Sequence, residues 1–267
     1  MFNKSKVVLI SDIHIRLFKR HEEYREQFNK LYDVLDNILP EFIVIGGDIF
    51  HSKNNLSPEV VNLTSELFRN LSKKCEKLII IAGNHDLLVN NSDRMDSLTP
   101  IINNLNIDNI FYLKESRCYE IGDYVWPVWS QLEDNKYPVD LKDSLEKNKH
   151  KKHIGLYHGP LVGMNTDLGY SFEDGTKSYE FDGCWYTLCG DIHKRQVMYT
   201  TEKRPIIMVG SFLQQDYGEK YNEHGFCVID LISDLFNFID IPNDYGFYTF
   251  KINSFQDIEN DCENLIN

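Results

Sequence analysis

Residues 7–14 read Val-Val-Leu-Ile-Ser-Asp-Ile-His. An apolar run of strand length breaks off in a cluster that carries an aspartate and a histidine. The unit recurs twice. Phe42 to Ile45 runs into Gly46-Gly47-Asp48, and Leu78 to Ala82 runs into Gly83-Asn84-His85-Asp86. An unbroken apolar run suits a strand covered on both faces, as in a parallel sheet with helices packed against it. Between the runs lie helical patterns. His21 to Leu39 carries Tyr24, Phe28, Leu31, Leu35 and Leu39 at helical spacing and stops at Pro40; Ser57-Pro58-Glu59 starts a second helix that carries Val61, Leu67, Phe68 and Leu71 to about Lys74. The order is β-α-β-α-β, with a polar cluster at each strand's carboxyl end, where open α/β sheets place their sites.

The second half changes character. Short strand patterns follow one another at Tyr124 to Trp129, His153 to His158, Trp185 to Cys189, Gln196 to Thr200, Ile206 to Val209, Gly225 to Leu231, Phe236 to Ile241 and Phe247 to Lys251. Only Val139 to Lys149 reads as helix among them. The expectation is a second, more antiparallel sheet packed on the first. Ser254-Phe255-Gln256-Asp257 resembles a capping box and starts a last helix.

The chain has 267 residues, 42% of them hydrophobic and 13% aromatic, which suits a packed globular protein. No apolar run approaches the ~18–20 residues of a membrane span. The first strand leads straight into charged residues and shows no cleavage site, so it does not read as a signal peptide. Six scattered cysteines without a CxxC pair point to a reducing compartment rather than a disulfide framework, and Cys184 and Cys189 read as small buried hydrophobes. A net charge of -13 opposes broad attraction to nucleic acid, although carboxylates that hold cations are neutralised when the cations are bound.

Five motifs carry the chemistry: Asp12-Ile13-His14, Gly47-Asp48, Gly83-Asn84-His85-Asp86, Tyr157-His158-Gly159 and Gly190-Asp191-Ile192-His193. Each follows a predicted strand and offers hard oxygen donors, imidazoles or both, a mixture suited to Mn²⁺, Mg²⁺, Fe or Zn²⁺. Asp12 and His14 lie two apart, as do Asp191 and His193, so extended segments would put each pair on one face. A carboxylate such as that of Asp48 can bridge two cations about 3.5–4 Å apart, which clamp a phosphate between them. Glycines at 46, 47, 83, 159 and 190 let the backbone turn where the motifs meet. Among weaker signals, the basic stretch Lys147 to His153 reads first as a solvated turn, Lys194 and Arg195 as a phosphate contact or a solvated pair, and Trp126 and Trp129 as core. His21 and His224 match no motif.

The ordered set resembles the calcineurin-like metallophosphoesterase superfamily, over residues 6 to about 218. Within it the chain resembles the SbcD-type nucleases of DNA repair and recombination, in a phage-like branch. Gly47-Asp48-Ile49-Phe50-His51 resembles their GDxFH variant. Val209-Gly210-Ser211-Phe212, with Gln214-Gln215 and Gly218-Glu219, resembles the segment after their last metal motif. His158-Gly159-Pro160 and Asp167-Leu168-Gly169 carry the phage-like likeness.

The resemblance implies an α/β fold: a four-layer αββα sandwich of two mixed sheets, forming one catalytic domain over 1–245. Residues 246–267 would be a C-terminal strand and helix, the start of a capping domain that is truncated or absent. It implies two divalent metal ions, Mn²⁺ foremost, with Mg²⁺ or Fe as alternatives. Asp12, His14, Asp48 and His193 would hold the first, and Asp48, Asn84, His158 and Asp191 the second. His85 would protonate the leaving group, and His51 would position the phosphate and His85. One position departs from the pattern: Asp191 stands where the family usually has histidine, which makes the donor set harder and more negative. The implied activity is that of a metal-dependent exonuclease and endonuclease in double-strand-break processing. Its partners would be DNA, an SbcC-like ATPase and a second copy of the chain, without a membrane, in the cytoplasm (a host's, for a viral protein). Two other readings stand beside it: a phosphoesterase acting on phosphoproteins or nucleotides, and a catalytically silent scaffold on the same fold.

Overall fold

The computed structural model describes residues 3–53, 55–88 and 94–248. In chain order the elements are β1 (Asn3–Ile10), α1 (His21–Ile38), β2 (Pro40–Ile45), α2 (Pro58–Lys73), β3 (Lys77–Ile80), α3 (Leu98–Leu105), β4 (Ile110–Tyr112), β5 (Cys118–Ile121), β6 (Tyr124–Trp129), α4 (Leu141–Lys147) and β7 (Ile154–His158). A single 3-10 turn (Ser178–Phe181), β8 (Tyr186–Gly190), β9 (Gln196–Tyr199), β10 (Pro205–Met208), β11 (Gly225–Asp230) and β12 (Leu235–Asp240) complete the order. The helix expected from Ser254 lies outside the described residues. So does most of the strand expected at Phe247 to Lys251, and Phe247 and Tyr248 are irregular. Among the described residues no helix is long and apolar enough to cross a membrane.

Two six-stranded sheets stack face to face. In the first, of order β12-β11-β1-β2-β3-β4, the strands β1 to β4 run parallel and β11 and β12 add an antiparallel edge. In the second, of order β5-β6-β7-β8-β10-β9, the strands β6, β7, β8 and β10 run parallel, and only the edges β5 and β9 are antiparallel. The expectation of a more antiparallel second sheet is therefore corrected. Its centre is parallel because the connections through α4 and through the loop after His158 are long enough to cross over. The strands β11 and β12 belong to the first sheet, where β11 pairs with the free side of β1.

The unbroken apolar runs follow from this stacking. On β1, Val8 and Ile10 pack under α1, α2 and α3, while Val7 and Leu9 point into the interface between the sheets. Ile43 and Ile45 on β2 alternate with Phe42 and Val44 in the same way. Across the interface Phe42 meets Trp126 at a ring separation of 4.9 Å, a contact worth about 0.5–1.5 kcal/mol beyond its buried area. The outer face of the second sheet buries Trp129, Tyr157, Phe181, Cys184 and Cys189 beneath α4 and the loop that follows β7. Four layers result, but the outermost is mostly loop.

Helix ends agree with the sequence only in part. Ser57 caps α2 by accepting from the Val60 amide at 3.3 Å, with Pro58 as the first helical residue. The unforeseen α3 is capped from further upstream. The Asp96 carboxylate accepts from the amides of Leu98 and Thr99. The strands β4 and β5 escaped notice because edge strands are half-buried and carry no continuous apolar run.

Candidate functional site

All five motifs converge where the carboxyl ends of the two parallel strand groups meet. Backbone hydrogen bonds knit the loops together: Asp12 N–H to the Gly47 carbonyl at 3.1 Å, His14 N–H to Asp48 at 3.0 Å, and Gly159 N–H to Gly190 at 3.1 Å. Asp191 N–H donates to the Asp12 carboxylate at 3.1 Å, which ties the second sheet's last motif to the first sheet's first.

Convergence does not come from extended backbone, as the spacing suggested. Asp12 and His14 both have φ of 51°, Asp48 has 53° and Asp191 has 103°. Left-handed non-glycine residues are uncommon and cost about 1–3 kcal/mol each. Here the turn at Asp12 and again at His14 brings both side chains inward, while Ile13 between them enters the core. Gly47, at φ 103°, shows why glycine is needed here: a Cβ would sit 2.5 Å from His158 Nδ1.

The donors fall into two groups that share one carboxylate. Asp48 turns Oδ2 toward His14 Nε2 at 3.6 Å and Oδ1 toward His158 Nε2 at 3.3 Å. On the first side, the Nε2 atoms of His14 and His193 face each other at 3.0 Å, and both lie within 3.9 Å of Asp12 Oδ1. Two donors at right angles, each about 2.1 Å from a shared cation, stand about 3.0 Å apart. On the second side, His158 Nε2 lies 3.6 Å from Asp191 Oδ1, and Asn84 Nδ2 donates to that oxygen at 2.7 Å. His158 Nδ1–H donates to the Gly46 carbonyl at 2.8 Å, which aims Nε2 into the site.

These residues fit a pair of divalent cations. Asp12, His14 and His193, then His14, Asp48 and His85, then Asp12, Asp48 and His158 each bring donor atoms within 4.8 Å of one another. His158 Nε2 is buried without a hydrogen-bond partner, an arrangement that costs free energy unless something binds there. Charge tells the same story. Burial and the neighbouring Asp48 push Asp12 up to about 6, against the pull of His158 and His193. Burial likewise raises Asp191. Burial opposes charge on His158, but Asp48, Asp12 and Asp191 outweigh it and hold the ring well above its ordinary value. Burial lowers His14 well below its own. Such a cluster is short of positive charge at its centre.

His85 and His51 border the first group. The His14 ring lies 4.9 Å from His85 and 5.8 Å from His51. His85 Nδ1–H donates to the His51 carbonyl at 2.8 Å, leaving Nε2 toward the site. Burial and the nearby Arg16 guanidinium lower His51. All nine residues singled out in the sequence therefore surround one centre.

Three neighbours were not singled out. The buried Asp86 carboxylate accepts from the amides of Ile49, Phe50 and Gly83, locking the second and third motifs together. Glu219 accepts from His193 Nδ1 at 2.5 Å. Arg16 reaches His51. Glu219 lay within a quoted segment, and Arg16 continues the two-residue spacing of Asp12 and His14, but neither pattern reveals a partner. Of the weaker signals, Arg195 is turned away and paired with Asp240 at 2.5 Å. Lys151 and Lys152 are paired with Glu120 and Asp234, and His153 is buried against Ser144. Lys194 does border a cavity of about 420 Å³ beside Asp191 and His193. Cys184, Cys189, Trp126 and Trp129 are core.

Known proteins are similar to this chain in sequence and fold. The sequence model of the calcineurin-like phosphoesterases matches residues 5–195. The chain is 38% identical over 259 residues to the uncharacterized protein R555 of Acanthamoeba polyphaga mimivirus, covering 94% of this chain and 19% of that one. It is 24% identical over 265 residues to the DNA double-strand break repair protein Mre11 of Methanococcus maripaludis, covering 94% of this chain and 64% of that one. It thus spans about a fifth of the first relative and less than two thirds of the second. The crystal structure of TT1561 from Thermus thermophilus superposes with a TM-score of 0.55 at 12% identity, over 90% of this chain and all of that one, a likeness of fold. With the match running from β1 through His193, the chain belongs to the calcineurin-like phosphoesterase family, a family of metal-dependent hydrolases.

Proposed function

We propose that the chain is a two-metal DNA nuclease of the SbcD kind. The observation that carries the reading is the division of Asp48, whose two oxygens face separate donor groups. Asp12, His14, Asp48 and His193 would hold one cation, and Asp48, Asn84, His158 and Asp191 the other, with Mn²⁺ favoured by the three carboxylates. Such cations supply Lewis acidity and activate water.

The protein's own groups do the rest. His85 is anchored through Nδ1–H to the His51 carbonyl, so a proton on Nε2 is the one it can give to a leaving sugar oxygen. The same hydrogen bond holds the neutral tautomer that remains. His51 accepts from Arg16 at Nε2, so its Nδ1–H is the donor left for a phosphate oxygen. The 24% identity to Mre11 across this chain supports DNA as substrate, as do the Gly47 to His51 and Val209 to Glu219 segments. By the same reading the partners are an SbcC-like ATPase and a second copy of the chain.

A phosphoesterase for nucleotides or phosphoproteins is the second reading. The net charge of -13 favours it, as do Asp167 and Asp216 lining the cavity beside the site. One experiment separates the two: degradation of end-labelled duplex and single-stranded DNA in Mn²⁺ by the wild type and Asp48→Asn. Loss of label by the wild type alone supports the nuclease. Intact DNA, with Asp48-dependent hydrolysis of bis-p-nitrophenyl phosphate, supports the phosphoesterase. Failure of both, in a protein that binds no Mn²⁺, leaves the scaffold.

A further inference from the structure

Arg16 borders the site with most of its donors unused. Its Nη2 donates to the Gln215 carbonyl at 2.7 Å, and Nη1 reaches His51 Nε2 only at 3.5 Å. Its Nε is buried and has no partner. A guanidinium has five N–H donors, so most of this one's capacity is unused. No carboxylate lies within ion-pair range of it among the described residues, whereas nearby Arg20 is paired with Glu23 and Arg195 with Asp240. In a chain with 41 acidic side chains against 28 basic ones, an unpaired, half-buried guanidinium is costly unless it meets an anion from outside.

Its position says which anion. Arg16 touches His51, whose ring is 5.8 Å from His14 and 6.1 Å from His85. It bonds to His51 and Gln215 and to none of the seven residues that would hold the cations, so the phosphate it would reach is one beside the phosphate held there. The planar fork, fixed at one corner by Gln215, suits two oxygens of a phosphate.

We propose that Arg16 forms a second phosphate subsite, which receives the phosphate next in line to the one cleaved, so that the site selects a polynucleotide over an isolated diester. This rests on the nuclease reading and names the feature by which substrate would be chosen. Loss of such a contact lowers kcat/KM about tenfold to a hundredfold.

The test uses three thymidine dinucleotides sharing one scissile diester: TpT without a terminal phosphate, pTpT with a 5′-phosphate and TpTp with a 3′-phosphate. Each is hydrolysed in Mn²⁺ by the wild type, Arg16→Met and Arg16→Lys, with bis-p-nitrophenyl phosphate as a one-phosphate control. The expected result is that one of the two phosphorylated dinucleotides exceeds TpT by about tenfold or more in the wild type. Arg16→Met should erase that preference, beyond any loss that TpT and the control share through the broken contact with His51, and Arg16→Lys should restore part of it. The salt dependence on the preferred dinucleotide should weaken by about one phosphate contact in Arg16→Met. Equal loss on all substrates would make Arg16 a structural residue and overturn the subsite. A wild type that cuts long DNA yet shows no preference overturns the subsite alone. A wild type that hydrolyses only the control overturns subsite and nuclease together.

Discussion

The Glu219 carboxylate accepts from His193 Nδ1–H at an N···O distance of 2.5 Å, and its other oxygen accepts from Ser211 Oγ at 3.0 Å and the Gln215 backbone amide at 2.8 Å. His193 is thereby fixed in the tautomer whose Nε2 lone pair faces His14 and Asp12. Glu219→Gln keeps the shape but removes the charge and turns an amide toward a donor. We expect Mn²⁺ affinity to fall about tenfold to a hundredfold. Calorimetric titration of the purified variant reads this directly, and an unchanged affinity would remove Glu219 from the site's support.

Stability and pH are linked through the same cluster. Burial disfavours charge on His193, but the hydrogen bond to Glu219 and the charge of Asp12 push it up to about 9. Its contribution is complete below the ordinary value of 6.5 and is lost as pH rises through about 9. Asp12, raised from 3.8 to about 6, also binds its proton more tightly when folded, so stability falls through that range too. Both groups make the metal-free protein less stable as pH rises, and a cation requires the deprotonated donors. The gain in Tm from Mn²⁺ over EDTA should therefore be larger at about pH 8.5 than at about pH 6. Thermal unfolding at the two pH values checks the sign.

Asp86 is a structural lock. Oδ1 accepts from two amides and Oδ2 from the Gly83 amide at 2.9 Å. In Asp86→Asn one of these amides would face an NH₂ group inside the core. The cost should be about 1–3 kcal/mol, visible in urea unfolding. His85 would be displaced with its loop, so turnover should fall further than folding alone explains.

Gly47→Ala tests the close approach at the centre. The added methyl would meet His158 Nδ1 at 2.5 Å, on a backbone at φ 103°. Strain of about 1–3 kcal/mol is expected, together with loss of the hydrogen bond from His158 to the Gly46 carbonyl. Mn²⁺ stoichiometry should drop by one relative to wild type. A variant that binds the full complement would show that the loop can yield.

Asp191 decides the character of the second donor group. Replacing it with histidine exchanges a charged oxygen donor for a neutral imidazole beside His158. Competition titrations should show preference moving from Mn²⁺ toward Zn²⁺, by about tenfold or more. No movement would mean that Asp191 contributes charge without donating to the cation.

Much of this site was legible because its signals are local. An apolar run records that both faces of its strand are covered, and a polar cluster at its end records where the sheet opens. Five such endings in order were enough to name Asp12, His14, Asp48, Asn84, His85, His158, Asp191 and His193, the family resemblance added His51, and the structure brings all nine to one centre. What the residues could not show was pairing at a distance. His14 and His193 are 179 residues apart, and only the stacking of two sheets makes them neighbours. The parallel centre of the second sheet, the return of β11 to β1, and the partners of Asp86 and Glu219 belong to the same class. So do the left-handed turns at Asp12 and His14, which depend on loops held against one another, and the unpaired state of Arg16. Periodicity reports which faces of a segment are covered, but not what covers them, and in this protein the chemistry lies between the segments.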